Sequence, residues 1–259
     1  MSKYISFSAK ILVVGGYLNS KRDPIHNPLK NPAKHFEIID LINTKMTTKI
    51  VLDEYGLKGA AIGGILQNQP LICGGEVNYP FKGSLKITHV FIIGAPNNGF
   101  KLIIPRGLTS SVVLNESKIW ATGGYNNNLE KSTEIISLDQ SSMPGPDLPF
   151  TIWTHSMVHV DPTAIYLIGG IQNDELSNKT WIIDPTNEFQ IKVGPSLNIA
   201  RNFHSCSKMK IEGRIYLVVA GGFKDPDILD SVELLDTSCP HQGWKKGMTY
   251  IIKTSMKMI

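Results

Sequence analysis

Short apolar runs that end in a glycine pair punctuate the chain five times: Ile11–Gly16, Leu71–Gly75, Ile119–Gly124, Ile165–Gly170 and Ile215–Gly222. Their first glycines stand at 15, 74, 123, 169 and 221, giving spacings of 59, 49, 46 and 52 residues. Apolar runs this short, bounded by glycine, read as buried strands rather than helices. A second β-rich run follows each pair: Phe36–Asp40, His89–Ile93, Thr133–Asp139, Thr180–Asp184 and Val232–Asp236. Weaker strands precede the pairs at Thr109–Val113, His155–His159 and His204–Ser207, and the off-period Gly63-Gly64 reads as part of a preceding strand in the second repeat. Outer runs complete the units at Lys101–Ile104, Gln190–Val193 and around Trp244. Four short strands per repeat, no helical period, and 23 Gly with 15 Pro for turns predict an all-β fold.

With these residues the sequence resembles the kelch-repeat family. The resemblance rests on the five glycine pairs, the Ile-Tyr or Ile-Trp ahead of them, the third strands Ser132–Asp139 and Ser231–Asp236, and Trp244. It covers essentially the whole chain and is most specific in the third to fifth repeats. It implies a kelch-type β-propeller of about five four-stranded blades, with residues 1–259 as a single domain. The first repeat has no first strand ahead of it, and Tyr250–Ser255 is a candidate to supply that strand and close the ring. Closure matters because an open ring leaves unpaired strand edges. Two extra residues between Tyr216 and Gly221 keep the side-chain alternation, since an even insertion returns each residue to its face. The glycine pairs themselves are architectural, serving strand ends where a Cβ does not fit.

Composition narrows the classes. Charged residues make up 19% of the 259 residues, below the globular average of ~25%, which excludes a disordered or solvating chain. No run reaches the ~18 apolar residues of a membrane helix, and no signal peptide is visible at Met1–Ile5. Three irregularly spaced cysteines fit a reducing compartment, so the expectation is a cytoplasmic protein, or a secreted one if the chain is a fragment without its leader. The net charge of +4 is too small to indicate nucleic acid, but it is local. The segment from Tyr17 to His35 holds Lys21, Arg22, Lys30 and Lys34 against Asp23, stiffened by Pro24, Pro28 and Pro32.

With strands a to d running from the inside outward, the b–c and d–a connections share one rim and the a–b and c–d connections the other. The long basic segment is the b–c connection of the first repeat. The same rim is expected to carry Tyr17, Tyr125, Asn126 and Asn127 from b–c connections and Arg106 and Arg201 from d–a connections. Tyr, Asn and Arg favour recognition, and loops on a rigid scaffold are where proteins place it. The expected function is a monomeric protein-binding scaffold whose partner is a protein or peptide of acidic character, with no cofactor, nucleic acid or membrane. The alternative is a small propeller enzyme acting on a sugar or sugar acid.

Chemistry-bearing motifs are sparse. No G-x-S-x-G, H-E-x-x-H, Walker A or G-x-G-x-x-G pattern occurs, and the family's copper radical oxidases have no matching Tyr, Cys and His set here. His204-Ser205-Cys206 and Cys239-Pro240-His241 have zinc-ligand composition. They fall at opposite ends of a blade, so no metal is expected. Catalysis is likewise not expected.

Overall fold

A computed structural model describes residues 10–14, 35–40, 45–51, 61–66, 69–74, 76–79, 83–86, 89–92, 95–137 and 142–247. The protein is all-β, built of antiparallel sheets, and among the described residues the single helical turn is the 3₁₀ segment Pro240–Gln242. No helix among them is long and apolar enough to cross a membrane.

Four sheets have the order a-b-c-d, each a meander of sequential strands. The second sheet comprises Ala61–Leu66, Gln69–Cys73, His89–Ile92 and Ala95–Lys101. The third comprises Ser110–Asn115, Lys118–Thr122, Thr133–Ser137 and Ser142–Pro144. The fourth comprises Ser156–Asp161, Ala164–Ile168, Thr180–Asp184 and Gln190–Val193. The fifth comprises Ser205–Ile211, Arg214–Ala220, Val232–Asp236 and Lys245–Lys246. The first sheet has three described strands, Lys10–Val14, His35–Asp40 and Lys45–Val51. Strands a of the second to fifth sheets lie against one another in order. Gly63-Gly64 lies inside strand a of the second sheet, where the register shifts between Ile62 and Gly64.

Period-two alternation explains how the sheets stack, because successive residues of a strand face opposite sides. In the fourth sheet Ile165 and Leu167 join Val112, Trp120 and Ile152 in a core shared with the third sheet. Their neighbours Tyr166 and Ile168 join Leu217, Val219 and Leu235 in a core shared with the fifth. Both faces of this sheet therefore carry a buried apolar cluster. The longer strand b of the fifth sheet alternates as its even insertion requires, burying Leu217 and Val219.

The glycine pairs sit where strand b ends. At Gly123 and Gly124 φ is +57° and +98°. A Cβ on Gly123 would collide with the Ile152 carbonyl oxygen, and one on Gly124 would sit 2.7 Å from that of Gly107. The d–a connections before and after the third sheet thus both pack directly on the pair.

One outer strand differs from the sequence expectation. The outer strand of the second sheet is Ala95–Lys101, ending where Lys101–Ile104 was expected to begin. The backbone N–H groups of Ile103 and Ile104 instead donate to the Glu134 carboxylate at 2.6 and 3.0 Å. In the fifth sheet the outer strand is the pair Lys245–Lys246, while Trp244 is buried in the core and donates from Nε1 to the Pro195 carbonyl. The basic segment Tyr17–Lys34, with Tyr17, Lys21, Arg22, Lys30 and Lys34, and the tail Tyr250–Ser255 lie outside the described residues.

Candidate functional site

The connections expected to share one rim do meet there. Between strands b and c stands a small hairpin: Tyr125–Asn126 with Asn128–Leu129, Ile171–Gln172 with Glu175–Leu176, and Phe223–Lys224 with Asp227–Ile228. Each hairpin pairs with the d–a connection beside it, through Gly107 to Tyr125, Trp153 to Ile171 and Asn202 to Phe223. The next residue of each d–a connection is left-handed: Leu108 at φ 56°, Thr154 at 54° and Phe203 at 51°. These residues are wired in series, for Thr154 N–H donates to the Leu108 carbonyl at 2.9 Å and Phe203 N–H to the Thr154 carbonyl at 3.1 Å.

This rim carries aromatic surface. The Tyr125 and Trp153 rings lie 6.2 Å apart, both half-buried. Phe203 is 50% exposed although its bulky side chain sits on a left-handed backbone, a conformation that disfavours such residues. Asn126 is half-buried and Asn127, at φ 58°, is exposed at the hairpin tip, where asparagine tolerates that geometry. The tips on the fourth and fifth sheets are acidic, exposing Asp174 and Glu175 on the one and Asp225 and Asp227 beside Lys224 on the other. Sequence reasoning missed Trp153 and Phe203 because Trp153 sits in a strand of two residues, too short to show a pattern, and Phe203 lies outside any strand or motif. Their alignment with Gly107 and Leu108 emerges only from the backbone pairing.

Arg106 and Arg201 correct the expectation. Both were placed on the partner-facing rim, and both are fully buried. Arg106 donates to the carbonyls of Gly123 and Ser132, to Ser132 Oγ and to Glu134 Oε1, the last at 2.8 Å. Arg201 repeats the arrangement on Gly221, Ser231 and Glu233, with an ion pair of 2.7 Å. Each carboxylate also accepts backbone N–H groups, from Ile103 and Ile104 or from Asn198 and Ile199. A buried guanidinium is retained when most of its donors are met in this way, Arg106 Nε being the one left without a partner. These arginines hold the d–a connections in place and present nothing to a partner.

Beneath the rim lie two buried histidines, His155 and His204, each immediately ahead of a strand a. His155 Nε2 stands 2.8 Å from Thr122 Oγ1, and its Nδ1 has no hydrogen-bond partner. The His204 ring nitrogens face the backbone of Ile168 and Arg201 without a hydrogen bond of good geometry. Burial, and then the neighbouring His204, press the His155 pKa down to about 3. Burial, and then the Arg201 charge, press that of His204 down to about 4. Both imidazoles are neutral at pH 7. The Cys73 thiol is pushed up to about 12 by burial and is not a nucleophile.

His204 and Cys206 sit at the rim end of the fifth sheet, whereas Cys239 precedes the 3₁₀ turn holding His241 in the c–d connection. Among the described residues no three His, Cys, Asp or Glu side chains gather as a metal site. The c–d turns have a different use for their acids. Asp184 accepts from Thr186 N and Oγ1, and Asp236 from Ser238 N and Oγ. Those hydrogen bonds, the side-chain ones foremost, lower both carboxyl pKa values.

The opposite rim holds a cavity of about 730 Å³ between the third and fourth sheets, lined by Leu114, Ile135, Val160 and Phe189 with Lys118 and Lys208 among the charged groups. No protein-family model and no curated protein sequence matches the chain.

Proposed function

We propose that the protein is a kelch-type β-propeller of about five blades, its ring completed by the C-terminal segment, and that it binds a protein or peptide on the b–c/d–a rim. The observation that carries the reading is Phe203, an exposed aromatic residue kept on a left-handed backbone whose N–H donates to the carbonyl of Thr154, the residue after Trp153. A residue that folding alone would disfavour at such a position suits a role in recognition, and aromatic residues anchor interfaces. Because the arginines are buried, apolar contact at Phe203 and charge on the basic segment containing Lys21 and Arg22 are the two terms left for this rim. An acidic stretch of the partner complements the charge of that segment and is repelled by the acidic tips of the fourth and fifth sheets.

Affinity capture from cell extract with the full chain, read by quantitative mass spectrometry, tests this. Phe203→Asn fits the left-handed backbone, so the fold is retained while captured partners fall at least tenfold. Lys210→Glu, on strand a of the fifth sheet, leaves capture unchanged. Partners that survive Phe203→Asn and vanish with Lys210→Glu would place the working face on the other rim.

A further inference from the structure

We infer that the cavity between the third and fourth sheets, on the rim away from Phe203, is a binding site for a small amphipathic carboxylate, with an apolar body inside and the anionic group at the mouth. At about 730 Å³ it falls within the ~300–1,000 Å³ of small-molecule sites, which pair apolar walls with few placed polar groups. The inference is independent of ring closure and of the partner on the other rim.

The walls are held rather than open by accident. Glu188 and Phe189 are consecutive left-handed residues at φ 49° and 55° in the turn leading to strand d of the fourth sheet. That turn lays the Phe189 ring against Trp120, with centroids 4.7 Å apart. Across the cavity, His159 bridges the fourth sheet to the third through Nδ1 and the Val113 carbonyl at 2.7 Å. Lys208 arrives from the fifth sheet, and its Nζ donates to the carbonyls of His159 and Val160 at 2.7 and 3.1 Å. An ammonium has three donors, so a fixed cation with one N–H left stands at the lining.

Charge selects the ligand. Lys118 and Lys208 face one acid in the lining, Asp161. One oxygen of that carboxylate already accepts from Thr163 N and Oγ1, both at 2.9 Å. The Asn115 amide oxygen is likewise taken, by Ser117. The lining therefore offers apolar surface and net positive charge, which an apolar carboxylate complements and a neutral or cationic analogue does not.

Isothermal titration of the full chain with 1-naphthoate, against 1-naphthalenemethanol as the uncharged analogue, decides the matter. One naphthoate binds per chain, at least tenfold more tightly than the alcohol. Lys118→Glu, at an exposed position, weakens naphthoate at least fivefold and leaves the alcohol unchanged. Lys208→Gln weakens naphthoate without unfolding, as judged by an unchanged denaturation midpoint, and Phe189→Ala weakens both ligands. Lys210→Glu, outside the lining, alters neither. Absence of saturable binding, equal affinity for acid and alcohol, or naphthoate affinity untouched by both lysine variants overturns the inference.

Discussion

The third and fifth sheets hold their d–a connections with an arginine, and the fourth does the same work with an isoleucine. Ile152 and Arg201 have one backbone role, since each carbonyl accepts from the second glycine of the preceding sheet's pair, Gly124 or Gly170, at 2.8 Å. Their side chains diverge. Arg201 reaches Gly221, Ser231 and Glu233, whereas Ile152 is buried in an apolar cluster with Leu148 and Phe150. The opposing strand c has changed in step, carrying Trp181 where the other sheets carry Glu134 or Glu233, and Phe150 packs on Trp181 with centroids 4.9 Å apart. The backbone of the repeat fixes the place, and either a satisfied ion pair or a packed apolar pair can fill it. A mixture of the two cannot, because a lone buried charge has no compensation.

That equivalence can be broken. Arg201→Met strands the Glu233 carboxylate in the core and should cost about 3–5 kcal/mol, seen as a lowered urea midpoint. Arg201→Ile combined with Glu233→Trp imports the fourth sheet's solution and should cost less than Arg201→Met alone. A double variant as unstable as the single one would mean the two arrangements are not interchangeable.

The position just ahead of strand a sharpens the comparison through pH. It is Thr109 in the third sheet, His155 in the fourth and His204 in the fifth. Both histidines have folded pKa values of about 3 and about 4, below the ordinary 6.5. The unfolded chain therefore binds the extra protons. Stability is fully present above pH 6.5 and falls as pH drops toward 4, by up to about 1.4 kcal/mol per pH unit for each imidazole. His204→Thr, borrowing the third sheet's residue, should remove about half of that slope in denaturation curves taken between pH 6.5 and 4.5. An unchanged slope would locate the acid sensitivity elsewhere.

The smallest effect concerns the a–b turns. The third and fourth sheets build theirs on Asn115 and Asp161, which accept from Ser117 and Thr163, with a register shift beside each. The fifth uses Glu212-Gly213, both at positive φ and with no register shift, the conformation of a two-residue type I′ loop. Asn suits the first such position better than Glu. Glu212→Asn should raise thermal stability by about 0.5 kcal/mol, and a loss of stability would mean Glu212 makes a contact that offsets its strain.

How much of this was legible depends on how local the cause was. The strands Thr180–Asp184, Gln190–Val193 and Val232–Asp236 stand where apolar pattern and turn residues put them, because pattern and backbone agree over four or five residues. The two-residue insertion ahead of Gly221 was readable for the same reason. Arg106 and Arg201 were not, since an arginine in a loop resembles a surface residue until a distant glutamate is folded onto it, 28 and 32 positions along the chain. Strand d of the second sheet was misplaced for a related cause: Glu134 captures the amides of Ile103 and Ile104 from another repeat. Phe203 and the cavity left no sequence signal, because one depends on a backbone angle and the other on three sheets meeting.

The series of amide-to-carbonyl bonds from Leu108 to Thr154 to Phe203 also has a mechanical meaning. Each junction between neighbouring sheets is a separate weak link, joined by its own rung and its own core, so the sheets from the third to the fifth are springs in series. Tension applied along this stretch concentrates at whichever junction yields first and leaves the others standing. Under an optical trap the extension should climb as a staircase. Repeats of 46 and 52 residues, counted between first glycines, each release about 150–190 Å of contour at ~3.3–3.6 Å per residue.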